Sequence, residues 1–154
     1  MDAQHYIKTL SLLPHPEGGF YKETYRSLEK ISLKHGERNY STAIYFLLEK
    51  NNFSAFHKIK SDELWHFYSG DTLEVIEITS EGKLKITDLG PGNFQYCVPA
   101  GNWFGSRVKA GGNFSLVGCT VAPGFDFADF EMAERENLLK EFPEHADVIK
   151  ELTR

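Results

Sequence analysis

Cysteine, positive charge and long apolar runs are all in short supply in this chain. Basic residues number 17 against 22 acidic ones, a net charge of −5. Nothing supplies a net electrostatic pull on a phosphate backbone, so nucleic acid is excluded as the main partner. Two cysteines, Cys97 and Cys119, are too few for a disulfide framework. The longest stretches without charge, Leu89–Ser106 and Ala110–Phe125, are broken by glycine and proline and are too polar to cross a membrane. The chain opens without a basic segment leading into an apolar one, so no secretory leader is read and a cytoplasmic setting is expected. Helical periodicity is scarce as well, and is confined to the two ends.

Aromatic residues, in contrast, are plentiful: 12 Phe, 7 Tyr and 2 Trp, or 14% of the chain. That is enough to fill a core and also to wall a pocket. A chain of 154 residues is one domain's worth, and buries about 68–70% of the surface that its unfolded form exposes. Residues 1–154 are therefore read as one domain.

Asp2 is placed to cap a first helix, Asp2–Leu13, carrying Ile7, Leu10 and Leu13 on one side and stopped by Pro14 and Pro16. Asp129 is placed to cap a last helical segment, Asp129–Leu152, with Leu138, Leu139 and Phe142 as its stripe. Pro143 interrupts it, and a short turn follows through Ala146, Ile149 and Leu152. Between the helices, from Phe20 to Val121, nine short runs alternate with turn residues. They are Phe20–Ser27, Ser41–Leu48, Phe53–Ile59, Glu63–Ser69, Leu73–Thr79, Lys83–Leu89, Phe94–Val98, Trp103–Val108 and Phe114–Val121. Strands at this spacing without intervening helices predict an all-β antiparallel sandwich or barrel. Leu28–Arg38, polar and charged, reads as a surface loop or an edge.

One constellation carries chemistry. If Phe53–Ile59 and Glu63–Ser69 form a hairpin turning at Lys60, His57 faces Glu63, Ala55 faces Trp65, and Phe53 faces Phe67. All six then share one side of the sheet. Opposed Cβ atoms in such a ladder lie about 4.5–5.5 Å apart. An imidazole and a carboxylate would meet there beside an aromatic wall. Such a pair can ligate a metal if further donors converge. It can also act as a carboxylate-oriented general base, or it can be a structural ion pair that braces the hairpin. His66 falls on the opposite side and reads as a packed or interface histidine. A second candidate is His15-Pro16-Glu17-Gly18-Gly19, whose proline and glycines predict a sharp corner, with His15 and Glu17 as polar trim or as site residues. Cys97 and Cys119 read as small core residues without a basic neighbour.

These residues carry a resemblance. His57-x5-Glu63-x6-Gly70, followed by Pro99-x-Gly101, resembles the two signature motifs of the cupins. His15-Pro-Glu-Gly-Gly, Asp62-Glu-Leu-Trp-His-Phe-Tyr-x-Gly70 and Cys119-Thr-Val-Ala-Pro-Gly-Phe-Asp-Phe127 are similar to the cupin branch classed as a domain of unknown function. The resemblance implies a jelly-roll barrel, usually dimeric, with a small-molecule pocket inside it. Phe20–Arg26 is a candidate contact edge for a homodimer. Metal-binding cupins take two histidines and a glutamate from the first motif and a third histidine from the second. His57 and Glu63 match that set, but Ile59 and Phe104 stand at the other two places, Asn51 and Asn93 replace glycines, and Val108 replaces an asparagine. Two donors fall short of the three that an open metal site requires, so no resident metal is expected.

The dTDP-keto-sugar epimerases resemble this barrel and pair a histidine base with a tyrosine acid. By that analogy His57 is the base, oriented by Glu63, and Tyr45 or Tyr96 the acid, in a metal-independent isomerase or epimerase. The alternative is a binding module that stacks a small molecule on Phe53, Trp65, Phe67 and Trp103, with Phe104 and Glu23 completing the pocket-facing set. A metal-dependent oxygenase, common chemistry among cupins, is the least favoured of the three.

Overall fold

The computed structural model describes residues 1–154. Helix α1 (Ala3–Thr9) is capped by Asp2, whose carboxylate accepts from the His5 backbone N–H at 2.9 Å. It stops short of Leu13, because Leu13–Pro14 leaves the helix to pair as strand β1 with the strand that follows. The remaining strands are β2 (Phe20–Arg26), β3 (Lys30–Leu33), β4 (Gly36–Asn39), β5 (Thr42–Glu49), β6 (Phe53–Lys58), β7 (Asp62–Gly70) and β8 (Leu73–Ile78). After these come β9 (Leu84–Leu89), β10 (Gln95–Val98), β11 (Trp103–Val108), β12 (Phe114–Ala122) and β13 (Glu131–Met132), then helices α2 (Arg135–Glu141) and α3 (Ala146–Glu151). No helix is long and apolar enough to cross a membrane.

Two antiparallel sheets pack face to face, in the orders β1-β2-β5-β12-β7-β10 and β13-β6-β11-β8-β9. Their inner sides enclose Phe46, Leu48, Trp65, Val75, Leu89, Phe104 and Val117. Alternation along β8 shows how the layers are built. Leu73 and Val75 point inward, while Ile76 and Ile78 point outward into a second cluster with Leu138, Ile149 and Leu152 of the C-terminal helices. The smaller sheet is thus buried on both sides. α1 covers part of the larger sheet's outer side, through Ala3 and its neighbours against Leu47 and Leu116.

Three local expectations are corrected. Leu28–Arg38 is not an open loop, since it contains most of the β3–β4 hairpin, registered Lys30 to Asn39. Its last residue is buried, and Arg38 grips Asp129 with two hydrogen bonds of 2.7 Å. That bidentate contact takes Asp129 away from helix capping. Asp129 closes a 3-10 turn, Phe127–Asp129, and α2 begins only at Arg135, after Glu134. Pro143 does end α2, and it opens the turn that leads into α3.

The third correction concerns the expected hairpin. β6 and β7 do not pair at all. β6 lies between β11 and β13, whereas β7 lies between β12 and β10. The connection Ile59–Ser61 crosses from one sheet to the other, anchored by a hydrogen bond from the Gly101 N–H to the Ile59 carbonyl at 3.0 Å. His57 and Glu63 therefore approach from opposing sheets instead of along one ladder.

Candidate active site in the mouth of the barrel

The site begins at the corner preceding β2. Gly18 and Gly19 adopt φ of +110° and +78°, and a Cβ on Gly18 would stand 2.0 Å from the Phe53 carbonyl oxygen. Only glycine tolerates both the conformation and the approach. The corner lays the chain against β6: the Glu17 carbonyl accepts from the Ala55 N–H at 3.0 Å and from Arg154 Nη1 at 2.8 Å. The Glu17 side chain is thereby delivered into the barrel mouth beside His57.

A β-bulge sets the face of His57. Ser54 pairs with Ser106 and His57 with Phe104, so β6 holds one residue more than β11 over this interval. Gly105 sits opposite the bulge, where a Cβ would lie 2.7 Å from the Ser54 carbonyl oxygen. The extra residue puts Phe53 in phase with Phe56, in the outer cluster, and turns His57 inward.

His57, Glu17, Glu63 and Cys119 are all buried, and they line a cavity of about 480 Å³ together with His15, Tyr21, Glu23, Arg26, Phe125 and Phe127. His57 Nδ1 lies 2.7 Å from the Ala55 carbonyl oxygen. A carbonyl only accepts, so this nitrogen carries the proton. The Glu17 carboxyl spans the two imidazoles, with Oε1 3.4 Å from His15 Nδ1 and Oε2 3.5 Å from His57 Nδ1. His15 Nδ1 also accepts the Glu17 backbone N–H at 3.2 Å. On the opposing sheet, Glu63 and Cys119 face the same cavity from neighbouring strands.

Burial governs the charge of these groups. It holds both imidazoles down to about 4. It pushes the Glu63 carboxyl up to about 7. Glu17 is raised well above its ordinary value by burial and then by Glu63, with Arg154 opposing. Cys119 is raised by burial and by Glu63, which removes it as a nucleophile. At neutral pH the inner site carries two uncharged imidazoles, and burial favours the un-ionised form of both carboxyls.

The sequence-predicted residues are distributed as follows. His57 and Glu63 share the cavity, although the carboxyl beside His57 is that of Glu17. Glu23 lies at the mouth, bound by Arg26 through contacts of 2.7 and 3.3 Å. Phe104 is buried behind His57, with ring centres 4.2 Å apart. Trp65 and Phe67 point into the sandwich core rather than the cavity, Trp65 packing between Phe46 and Phe104. Phe53 and Trp103 lie on the outer side of the smaller sheet, beneath Arg154 and Lys58 respectively. Neither candidate tyrosine reaches the site. Tyr45 is out of phase with the inward Ile44 and Phe46 and packs against Tyr68 on the outer side. Tyr96 donates its hydroxyl to the buried Glu77, whose other oxygen accepts from Asn102 at 3.1 Å. The tyrosine in the cavity is Tyr21, its ring 4.6 Å from that of His15. His66 lies on the outer side, bonded to Thr120.

The donor set does not fit a cupin metal. Ile59 and Phe104 offer no donor atom, and no three acidic, histidine or cysteine side chains converge as ligands.

The sequence model of the cupin superfamily (DUF985) matches residues 4–133. The chain is a cupin. Its fold agrees closely with a hypothetical protein from Leishmania major, which is 37% identical with a TM-score of 0.93 and 99% of each chain covered. Protein SO0799 from Shewanella oneidensis is 41% identical with a TM-score of 0.92, covering 100% of this chain and 98% of its own. The uncharacterized protein YML079W of Saccharomyces cerevisiae is 29% identical over 89% of this cupin and 78% of its own length. More distantly, oxalate decarboxylase from Bacillus subtilis shares the fold at 15% identity and a TM-score of 0.58, over 90% of this cupin and 36% of that chain. The jelly-roll expectation is met.

Proposed function

We propose that this cupin is a metal-independent isomerase or epimerase that moves protons on a small, sugar-sized carbonyl metabolite held in the barrel mouth. The supporting observation is that Glu17, His57 and Glu63, from three separate segments, line one buried cavity. A general acid or base works best when its pKa lies near the working pH. Glu63, raised to about 7, meets that condition. His57, held near 4, is a weak base whose ring is fixed by its Nδ1–H on the Ala55 carbonyl. We therefore give proton abstraction to Glu63, and to His57 the task of a neutral, fixed hydrogen-bonding wall.

The test is proton exchange. The protein is incubated in heavy water with a panel of hydroxyketones and keto sugars, and loss of the proton beside the carbonyl is followed by NMR. Exchange is expected with wild type and is expected to fall about 10²–10⁴-fold in Glu63→Gln. A compound that raises the melting temperature but never exchanges would favour the binding-module reading, with Tyr21, Phe125 and Phe127 as its walls.

We also propose that the protein is a homodimer. β1 covers only Phe20 and Tyr21 of β2, which leaves Lys22–Arg26 as an open strand edge. Sedimentation equilibrium at the monomer mass would refute this.

A further inference from the structure

Resting on the proton-transfer reading above, we infer that Glu17 is the proton donor of this site, a carboxylic acid whose proton passes to the oxygen of a carbonyl bound in the cavity. Hydrogen-bond accounting carries the argument. A buried carboxylate needs donors, and around Glu17 they are spent. His57 Nδ1–H is directed at the Ala55 carbonyl, 2.7 Å away. His15 Nδ1 accepts the Glu17 backbone N–H, so it presents no proton to Oε1, 3.4 Å away. Arg154, the cation whose charge acts on Glu17, binds the main-chain carbonyls of Glu17 and Phe53 and the Asn52 side chain. Tyr21, Glu23, Arg26 and Asp126 line the same cavity, and Glu63 and Cys119 face it as well, either of which, when ionised, repels a second negative charge.

Oε2 of Glu17 is buried and has no partner. A carboxylate oxygen left in that state costs more than an un-ionised one. The carboxylic acid form removes the difficulty, and it leaves a donor facing a cavity that can hold a ligand oxygen. The same burial raises the Glu17 carboxyl, in agreement with the accounting.

The resulting chemistry balances. The Glu63 carboxylate takes the proton from the carbon beside the carbonyl. The C–H electron pair becomes the C=C bond of an enediol, and the carbonyl π pair moves onto oxygen, which takes the proton of Glu17. In the second half, the enediol's other hydroxyl returns a proton to Glu17. A new carbonyl forms there, and the C=C pair takes the proton from Glu63 at the neighbouring carbon. Both carboxyls are restored and no electrons are exchanged with a cofactor.

Two measurements test the assignment. The first uses infrared difference spectra of Glu63→Gln at neutral pH. The C=O stretch of an un-ionised carboxylic acid is expected there and should vanish in the double variant with Glu17→Gln. Its absence from Glu63→Gln overturns the proposal. The second follows deuterium exchange into glyceraldehyde and dihydroxyacetone. Glu17→Gln is expected to slow it by at least about a hundredfold, and Glu17→Asp to recover part of the rate. Unchanged exchange in Glu17→Gln removes Glu17 as donor while leaving Glu63 as base. No exchange by the wild type sinks both readings together, and the infrared band then still reports the state of Glu17.

Discussion

Replacing Glu63 with glutamine should abolish a loss of stability that the wild type suffers as pH rises. Burial moves this carboxyl from 4.5 to about 7. At about 1.4 kcal/mol per unit, the folded state loses about 3 kcal/mol when the group ionises. A carboxyl raised on folding binds its proton more tightly in the native state, so its contribution is full below the unfolded value. That contribution is lost as pH climbs through about 7. Glutamine keeps the shape and cannot ionise. Equilibrium urea unfolding at about pH 5 and about pH 8 reads the difference, because titrations of groups that do not feel Glu63 cancel between the two proteins. Glu63→Gln is expected to gain up to about 3 kcal/mol on wild type over that interval, or roughly 6–12 °C of melting temperature for a domain of this size. An identical wild-type-minus-variant difference at both pH values would refute the claim that Glu63 is held near neutrality.

The two imidazoles should act in the opposite direction. Lowered on folding from 6.5 to about 4, they contribute stability that is present above about pH 6.5 and lost as pH falls through about 4, so His57→Gln should flatten the acid limb of the denaturation profile. Gly18→Ala forces a Cβ against the Phe53 carbonyl at a positive φ and should cost at least about 1–3 kcal/mol. Thermal unfolding checks that, and the infrared carboxylic-acid band should be lost as the corner lifts away. Ile149→Ala, at a fully buried position between α3 and the smaller sheet, should cost about 2–5 kcal/mol in urea unfolding, with deuterium exchange per folded molecule unchanged.

Nine of the eleven strands from β2 to β12 are legible in the sequence because turn residues punctuate them and because the period-two pattern is local; β3 and β4, polar and charged, are not. The pairing of strands is not. A three-residue link between β6 and β7 looks like a hairpin turn, and nothing local in Ile59-Lys60-Ser61 shows that it changes sheets. The face of Phe53 is hidden for a related reason, since the bulge in β6 exists only relative to β11. Tyr45 is a candidate by strand position without regard to parity; its inward neighbours Ile44 and Phe46 already fix it as outward. Glu17 lies within the motif His15-Pro-Glu-Gly-Gly, whose two glycines are the signal for a close backbone approach. That the approach is made to β6, next to His57, is a long-range fact. The role of Asp129 is equally hidden, because its partner Arg38 is distant in the chain.

The supernumerary residue in β6 acts as a phase shifter for the whole strand. Upstream of it the odd-numbered positions belong to the outer layer, and downstream they belong to the interior. Deleting a single residue between Ser54 and His57 would therefore restore regular pairing with β11. Ser54 stays opposite Ser106 and the histidine opposite Phe104, so a shortened strand keeps Phe53 outside and the imidazole inside, and loses only the bend and twist that the bulge supplies. For the same reason, a cupin that lacks the extra residue, aligned without a gap at this point, has its cavity residues misassigned on one side of it.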